Sequence, residues 1–500
     1  MTFIIGITLR SIHFFGRSSM WFDELTSALN VQSHTYYQLT TQSLEFNQIA
    51  PIGFLLYEKL ATSLFGENDL AFRFFPWVLS LFSLVLFFQI SKQFVKGTAL
   101  LATFILFACS VTQWFYAGEA KQYSGDVTAA LFLVWSALQM TKPHPKKSTV
   151  WLIAAVGVVL ISASFSAIAI APFVLLVVFI RLLKKQIALS KASFWGIALC
   201  WAVACALGAW YAKFVISSTS NNAMTNYWSR GFSPLDSFTD YLLWVPKSLF
   251  KELSFFLTAW MEFSVSFIKS IAAALLILSV PGLVFLARKY ALITIILFAP
   301  LTIAIILATA RVLPFDSRVA VYATWPLLIS GIAGITALQN WFPSLLKPAL
   351  STALGLMIAL PIVIITIALP SERPPLNAQS AQPLLKELKK QLQPGDKLYV
   401  YYRARHAMKF YGSKEGITDY IVGGDYNNIV PYLRELDLLK GNKRVWFFFT
   451  QWVPPKPYPD SMKVYLGTVI GKEIGRIPDP DGLVEDLEVA AHLYDLSKSK

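Results

Sequence analysis

Charge is scarce in this chain of 500 residues: only 14% are Asp, Glu, Lys or Arg, against 55% hydrophobic. A soluble fold keeps about a quarter of its residues charged, so water is not the solvent of most of this one. Cysteine is nearly absent. Cys109, Cys200 and Cys205 all sit in apolar runs, which leaves the polar C-terminal region without a disulfide and dependent on packing. There are 5 histidines; only His13 and His34 lie near the first polar loop, and neither stands at ligand spacing from an acid, so no cofactor and no divalent metal is expected. No glycine-rich phosphate loop follows a strand, so nothing calls for a nucleotide. There is no internal repeat and no low-complexity tract.

What the chain has in quantity is apolar sequence. Runs approaching the roughly 20 residues of a span recur near 74–90, 97–112, 127–140, 150–161, 167–182, 192–211, 264–287, 291–310, 319–337 and 348–369. The opening stretch 1–15 is interrupted by Arg10 and His13 and has no small-residue cleavage site behind it. It reads as a further span rather than a removable signal peptide, its start left open upstream of Met1. The expectation is a polytopic α-helical membrane protein of about eleven transmembrane helices.

The formal charge of +14 is distributed as topology rather than as a patch for nucleic acid. Loops around Lys92 and Lys96, Lys142 to Lys147, Arg181 to Lys191, Arg288 and Lys289, and Lys347 contain no acid. Every acidic residue ahead of the tail falls in the other set of loops. The positive-inside rule makes the basic set cytoplasmic, which puts the N-terminus inside, the region after about 370 outside, and the chain in the plasma (inner) membrane as a multi-pass protein.

Two non-cytoplasmic loops, 17–70 and 212–262, are long enough to hold structure. The first contains a half-apolar helical stretch, 51–65, of interfacial character. The second is rich in rings: Tyr211, Tyr227, Trp228, Phe232, Tyr241, Trp244 and Trp260. Such rings also suit an aromatic belt at the headgroup layer. Residues 1–370 read as the transmembrane module and 371–500 as an extracytoplasmic α/β domain joined by a proline-containing linker, 371–375. In that domain a helix is expected over 380–392, a strand over 397–402, a short helix over 404–411, a strand near 417–422, a helix over 426–439 and strands over 444–450 and 490–496.

Charged residues at the span ends are the first place to look for chemistry, because ionisable groups in lipid are costly. Four stretches stand out: Trp21-Phe22-Asp23-Glu24; Gly118-Glu119-Ala120-Lys121-Gln122-Tyr123; Arg73; and Arg311 with Pro314-Phe315-Asp316-Ser317-Arg318. All fall on the non-cytoplasmic side. Acids and bases gathered at one interface suit a reaction on an anionic lipid, with a carboxylate to take a proton and cations to hold phosphate. Asp23 fits the base; Lys121, Arg318 and Arg73 fit the phosphate. An acidic pair after an aromatic also caps a helix at an interface, and arginines at span ends also snorkel.

In order along the chain, Trp21-Phe22-Asp23-Glu24, Ala50-Pro51-Ile52-Gly53-Phe54, Phe65-Gly66 with Arg73, Glu119-Ala120-Lys121-Gln122-Tyr123 and Pro314-Phe315-Asp316-Ser317-Arg318 resemble the signature of the GT-C glycosyltransferases. More narrowly they are similar to glycosyltransferase family 39 and its bacterial relatives, the protein O-mannosyltransferases and the aminoarabinose transferases acting on lipid A. The string Pro394-Gly395-Asp396-Lys397-Leu398-Tyr399-Val400-Tyr401-Tyr402 is similar to the exported domain of bacterial members. The resemblance implies GT-C architecture, a polyprenyl-phosphate sugar donor, an extracytoplasmic acceptor and inversion at the transferred carbon. It implies Asp23 as catalytic base with Glu24 beside it, and Glu119 and Lys121 facing the same cavity. Arg318, Arg73 and Arg10 would contact the donor phosphate, Tyr123 would pack under the donor, and Tyr227 with Trp228 would line the acceptor side. One departure concerns donor identity and any metal held there: aminoarabinose transferases carry a Glu-Lys pair directly before the proline of the first loop, and this chain has Ile49-Ala50-Pro51.

A polytopic lipid or glycolipid transporter or flippase would share the spans and the interfacial basic residues. It would commonly add inverted repeats and ions buried at mid-span, whereas this chain gathers its acids at one membrane surface. A receptor or scaffold with an exported partner-binding domain is a third reading, for which so many spans are excessive.

Overall fold

The computed structural model describes residues 1–16, 19–143, 145–218, 227–258, 265–342, 348–359, 361–362, 380–450, 458–478 and 489–497. The linker expected at 371–375, Lys347, Trp260 and the end of the last expected span lie outside these residues. The chain divides into two compact units, one of Met1–Phe15 with His34–Ser371, the other of Gly16–Ser33 with Glu372–Lys500.

The first unit is helical. Its elements run α1 (Thr2–Gly16), then, after α2 (Phe22–Ser33), which belongs to the second unit, α3 (Tyr36–Thr41), α4 (Ile52–Phe65), α5 (Asp69–Ser91), α6 (Gly97–Ala108), α7 (Val111–Ala117), α8 (Tyr123–Met140), α9 (Lys147–Ser162), α10 (Phe165–Leu183) and α11 (Lys191–Ser218). There follow α12 (Phe238–Thr258), α13 (Val265–Leu297), α14 (Ala299–Thr309), α15 (Ser317–Ala320), α16 (Trp325–Trp341) and α17 (Pro348–Ala359). Among the described residues, 4 helices are long and apolar enough to cross a membrane: α5, α10, α11 and Lys269–Leu297 within α13. The pair α6 and α7, bent by 46°, makes a fifth if counted as one broken span, and α1, α9, α14 and α17 are shorter apolar helices. The chain is a multi-pass membrane protein.

Helix α8 is the hub, buried along nearly its whole length and packed on α5, α9, α10 and α13. Two of its polar groups meet partners on neighbouring segments: Thr128 Oγ1 donates to the Leu79 carbonyl at 2.7 Å, and Ser164 Oγ donates to Asp126 Oδ1 at 2.5 Å. Ser164 also caps α10, so Asp126 fixes the cap and through it the helix start. The most extensive helix contact joins α13 to α16. There the backbones nearly touch. A Cβ on Gly334 would strike the Leu278 carbonyl, one on Gly282 the Ser330 carbonyl, and one on Gly331 would sit 2.9 Å from the Leu275 carbonyl oxygen. In lipid no hydrophobic force drives helices together, and small residues that permit close packing take its place.

The second unit combines α2 (Phe22–Ser33) with a five-stranded sheet of order β2-β1-β3-β5-β4. The strands are β1 (Lys397–Val400), β2 (Ile421–Val422), β3 (Val445–Phe449), β4 (Lys472–Ile477) and β5 (Ala490–Asp495). Strand β1 pairs in parallel with β2 and β3, and β5 lies antiparallel between β3 and β4. The central strand β3 is buried throughout. Helix α18 (Ala381–Gln391) buries Leu384, Leu385 and Leu388; α19 (Ile429–Asp437) buries Tyr432 and Leu436, and α20 (Tyr458–Tyr465) buries Pro459 and Met462. The turn before β1 uses Gly395 at φ 90°, and Asp396 receives the Arg444 Nε at 2.7 Å and Trp446 Nε1 at 3.1 Å, which fixes β1 beside β3. The expected elements of this region are present, with the strand near 417–422 shortened to two residues. Helix α20 and strand β4 are additions.

Two outcomes follow. Gly334→Ala forces α13 and α16 apart and is expected to cost about 1–3 kcal/mol, read as a lower midpoint of thermal unfolding in detergent. The second concerns pH. Burial, followed by repulsion from Arg405 and Lys409, pushes His406 down to about 3 from 6.5. The unfolded chain therefore binds a proton that the folded one excludes, so this contribution is complete above pH 6.5 and is lost as pH falls toward 3. Denaturant unfolding of the full chain, followed across that range, should lose stability more steeply in the wild type than in His406→Gln.

Candidate functional site

The break between α6 and α7 delivers the first part of the site. Ser110 ends one helix and caps the next, its side chain accepting from the Gln113 N–H. A helix interrupted at membrane depth must satisfy its freed polar groups internally. Arg10 Nη1 donates to the Ala108 carbonyl at 3.0 Å and to the Gly6 carbonyl at 3.1 Å, while the Ser110 and Thr112 hydroxyls donate to the Phe256 and Phe255 carbonyls of α12. Arg10 is fully buried, with its guanidinium 5.9 Å from the Phe107 ring centre. The chain then turns at Gly118, where a Cβ would collide with the His13 ring. His13 in turn packs 5.3 Å from both Trp114 and Phe115.

The turn carries two buried ionisable residues. Glu119 is wholly buried and Lys121 is 6% exposed. A tight bond from the Lys121 N–H to the Glu119 carbonyl, 2.7 Å, folds the segment back on itself. Lys121 Nζ donates to Gln48 Oε1 at 2.8 Å. Gln48 ends a turn in which Phe46 and Asn47 both take positive φ, 62° and 53°, a conformation costly for a phenylalanine.

The second part is built around Arg318. Its guanidinium lies 5.8 Å from the ring centre of Tyr123 and 5.7 Å from that of Trp228. Tyr123 meets Tyr116 edge to face at 4.9 Å, and Trp228 meets Tyr227 in the same way at 4.9 Å. The loop that presents Arg318 is held by the Phe315 N–H donating to the Gly231 carbonyl at 2.8 Å, and Gly231 stands so close that a Cβ would sit 2.7 Å from Pro314 and 2.9 Å from Asp316. Asp316 pairs with Lys251 at 2.7 Å. Beside it Glu252, only 2% exposed, has a carboxyl pushed up to about 8 by burial, with Lys251 pulling against that shift and Asp316 adding to it.

The structure thus brings Tyr123, Arg318 and Trp228 together, with Lys121 two residues ahead of Tyr123. Tyr227 points outward at 69% exposure. Arg73 is fully buried on α5, and Arg10 sits at the helix break. Asp23 and Glu24 belong to the second unit, in the first turn of α2. Asp23 is half-buried. Glu24 is wholly buried and accepts the Trp21 N–H at 3.2 Å, the reach-back of an acid at the third position of a helix to its cap. Gln48, Lys251 and Glu252 were not singled out by sequence reasoning. Gln48 stands three residues ahead of Pro51, where the resemblance marks a departure; Lys251 and Glu252 are a lone charge pair in an otherwise apolar helix end, which was the available signal.

No family model matches the chain, and no curated protein matches it. Solved structures do. ArnT from Cupriavidus metallidurans, bound to undecaprenyl phosphate, superposes over 98% of this chain and 97% of its own with a TM-score of 0.52 at 11% identity. The chain has the GT-C fold. The same ArnT in the apo state gives a TM-score of 0.41 at 14% identity over 97% of this chain and 96% of its own. The oligosaccharyltransferase of Archaeoglobus fulgidus in its apo form gives 0.45 at 11% identity over 89% of this chain and 68% of its own. These two weaker superpositions add nothing to the fold assignment.

On this GT-C scaffold the first unit offers a planar cation flanked by two aromatic faces and an ammonium on a buried turn. Guanidinium and ammonium groups suit an oxyanion such as phosphate, and ring faces suit a sugar or an isoprene unit. Replacing Arg10 by Met leaves the Ala108 carbonyl buried without its donor. The expected loss is about 1–3 kcal/mol, read as a lower thermal midpoint in detergent.

Proposed function

We propose that the chain is a glycosyltransferase that moves a sugar from a polyprenyl-phosphate donor in the bilayer to an acceptor outside the cytoplasm. The observation that carries this reading is the grouping of Arg318 with Tyr123 and Trp228, next to the turn bearing Lys121, within a GT-C fold. The solved ArnT with that fold has undecaprenyl phosphate bound.

In this reading about eleven spans hold the catalytic module. The N-terminus is cytoplasmic and the C-terminal α/β unit extracytoplasmic. Arg318 and Lys121, with Arg73 and Arg10 contributing positive charge, hold the donor phosphate, while Tyr123, Tyr227 and Trp228 line the substrate path. Asp23 is the general base. The acceptor hydroxyl gives its proton to the Asp23 carboxylate as its oxygen attacks the anomeric carbon, and the bond from that carbon to the phosphate oxygen breaks. The phosphate leaves with the bonding pair, so the configuration inverts. Since the leaving group is already a stable anion, the cations stabilise its growing charge and no strong acid is needed there. Glu24 caps the helix that presents Asp23, and Glu119 serves as a further acid of the site.

Two substitutions test the reading. Asp23→Asn removes the base and is expected to lower transfer by about 10²- to 10⁴-fold, with expression unchanged. Arg318→Lys keeps the charge but loses the planar stack and the fork of donors, and is expected to cost about tenfold or more. Mass comparison of cell-envelope glycans from strains carrying each variant reads both. A flippase or scaffold would leave the glycans of the Asp23→Asn strain unchanged, and that result would overturn the proposal.

A further inference from the structure

The segment ahead of and including the start of α2 is bound into the second unit by three contacts that the function above leaves unexplained. The Met20 N–H donates to the Tyr411 hydroxyl at 2.6 Å, across 391 positions of sequence. The Gln382 N–H, in the first turn of α18, donates to Ser19 Oγ at 3.1 Å. The Phe22 ring meets the His406 ring at 5.1 Å, nearly edge to face. Ser19, Met20 and Tyr411 are all wholly buried. Helix α2 itself is buried from Glu24 to Val31 and packs on the turn that holds Arg405–Ala407. Asp23 follows Met20 by three residues, so a shift at the anchor becomes a shift of the carboxylate.

A buried amide N–H that loses its acceptor is strongly penalised, so the Tyr411 hydroxyl fixes the backbone at Met20 rather than merely touching it. The Ser19 tie constrains the preceding residue, and the Glu24 cap then sets the first turn of α2. A base displaced by an ångström loses much of its effect, because proton transfer requires hydrogen-bond geometry with the attacking hydroxyl.

We infer that Tyr411 and Ser19 are positioning residues, through which the α/β unit sets the placement of the Asp23 carboxylate. The inference rests on the reading of Asp23 as general base, and it gives the α/β unit a part in turnover. Both side chains are wholly buried.

The test uses the full chain in nanodiscs, with a polyprenyl-phosphate sugar extract from the host membranes as donor. Tyr411→Phe keeps the ring and removes only the hydroxyl. It is expected to lower the rate at saturating donor about tenfold while the donor concentration for half-maximal rate stays unchanged, because the phosphate-binding residues are untouched. Hydrogen exchange at the Met20 amide and along 19–26 should rise at least tenfold, with exchange in α8 unaltered. Ser19→Ala, a smaller change that keeps the unit folded, should act in the same direction, and Ser19→Thr, which restores a hydroxyl, should recover the rate. Unchanged exchange at 19–26 in both Tyr411→Phe and Ser19→Ala would overturn the anchor. Raised exchange with an unchanged rate would overturn its part in turnover. Asp23→Asn, run alongside, reads the base assignment separately: full activity there refutes the function proposed above, whereas its loss together with an intact Tyr411→Phe rate refutes only the present inference.

Discussion

A break between two buried apolar helices requires that each freed polar group find a partner in the protein, and the site of this chain depends on one such break, between α6 and α7. Without the interruption at Ser110, α6 would run straight on, and the stretch from Val111 to Tyr123 would be one more helical face. Arg10, buried and donating to the Ala108 carbonyl, and the hydroxyls of Ser110 and Thr112, donating to α12, supply the missing partners. The turn at Gly118 is then closed against His13, which leaves Glu119 and Lys121 on an irregular, buried stretch. A residue on such a stretch is not bound to the helical period, so an acid and a base two positions apart can both be held inside the fold.

Much of this was legible in the sequence, because composition and hydrophobic runs are strong signals. The helical membrane character and the sheet of the C-terminal region were readable from apolar runs and strand patterns, whereas the approach of Trp228 to Arg318 was not, since the ordered motifs put Arg318 and Tyr123 at the donor and Trp228 on the acceptor side. Strand β4 was not. It is an edge strand whose sequence, Lys472 to Ile477, is charged and mostly exposed, and its ladder slips between Glu473 and Gly475. An edge of that kind is kept polar to prevent pairing with other chains, and this erases the alternation by which a strand is recognised. The break at Ser110 was hidden for a different reason: serine in an apolar run is compatible with an unbroken span, and only the partners of its hydroxyl decide the matter.

The grouping of 16–33 with the C-terminal region was also beyond sequence patterns. Helix α2 has a burial on nearly all sides that its modest apolar content does not announce, since Thr26, Ser27 and Asn30 are as buried as Leu25 and Leu29. These polar residues are accommodated by bonds within the helix, such as Asn30 Nδ2 to the Thr26 carbonyl at 2.7 Å and the Thr26 hydroxyl to the Asp23 carbonyl at 2.9 Å. Local bonds of this type let a polar helix be buried at little cost, and they hide the burial from any scale of hydrophobicity.

The loop that carries Arg318 holds an acid of its own and keeps that acid engaged elsewhere. Asp316 lies two residues before Arg318, and a direct pair between them would compete with any phosphate. Instead Asp316 is engaged by Lys251 at 2.7 Å and by the Ser317 hydroxyl, and burial pushes the carboxyl of the neighbouring Glu252 up to about 8. Asp316 is thus paired with Lys251 rather than with the arginine of its own loop. Lys251 is half exposed and lies outside the aromatic frame around Arg318, so its worth as an ion pair in stability is small. Its consequence is electrostatic: the carboxylate of Asp316 is neutralised by a cation other than Arg318.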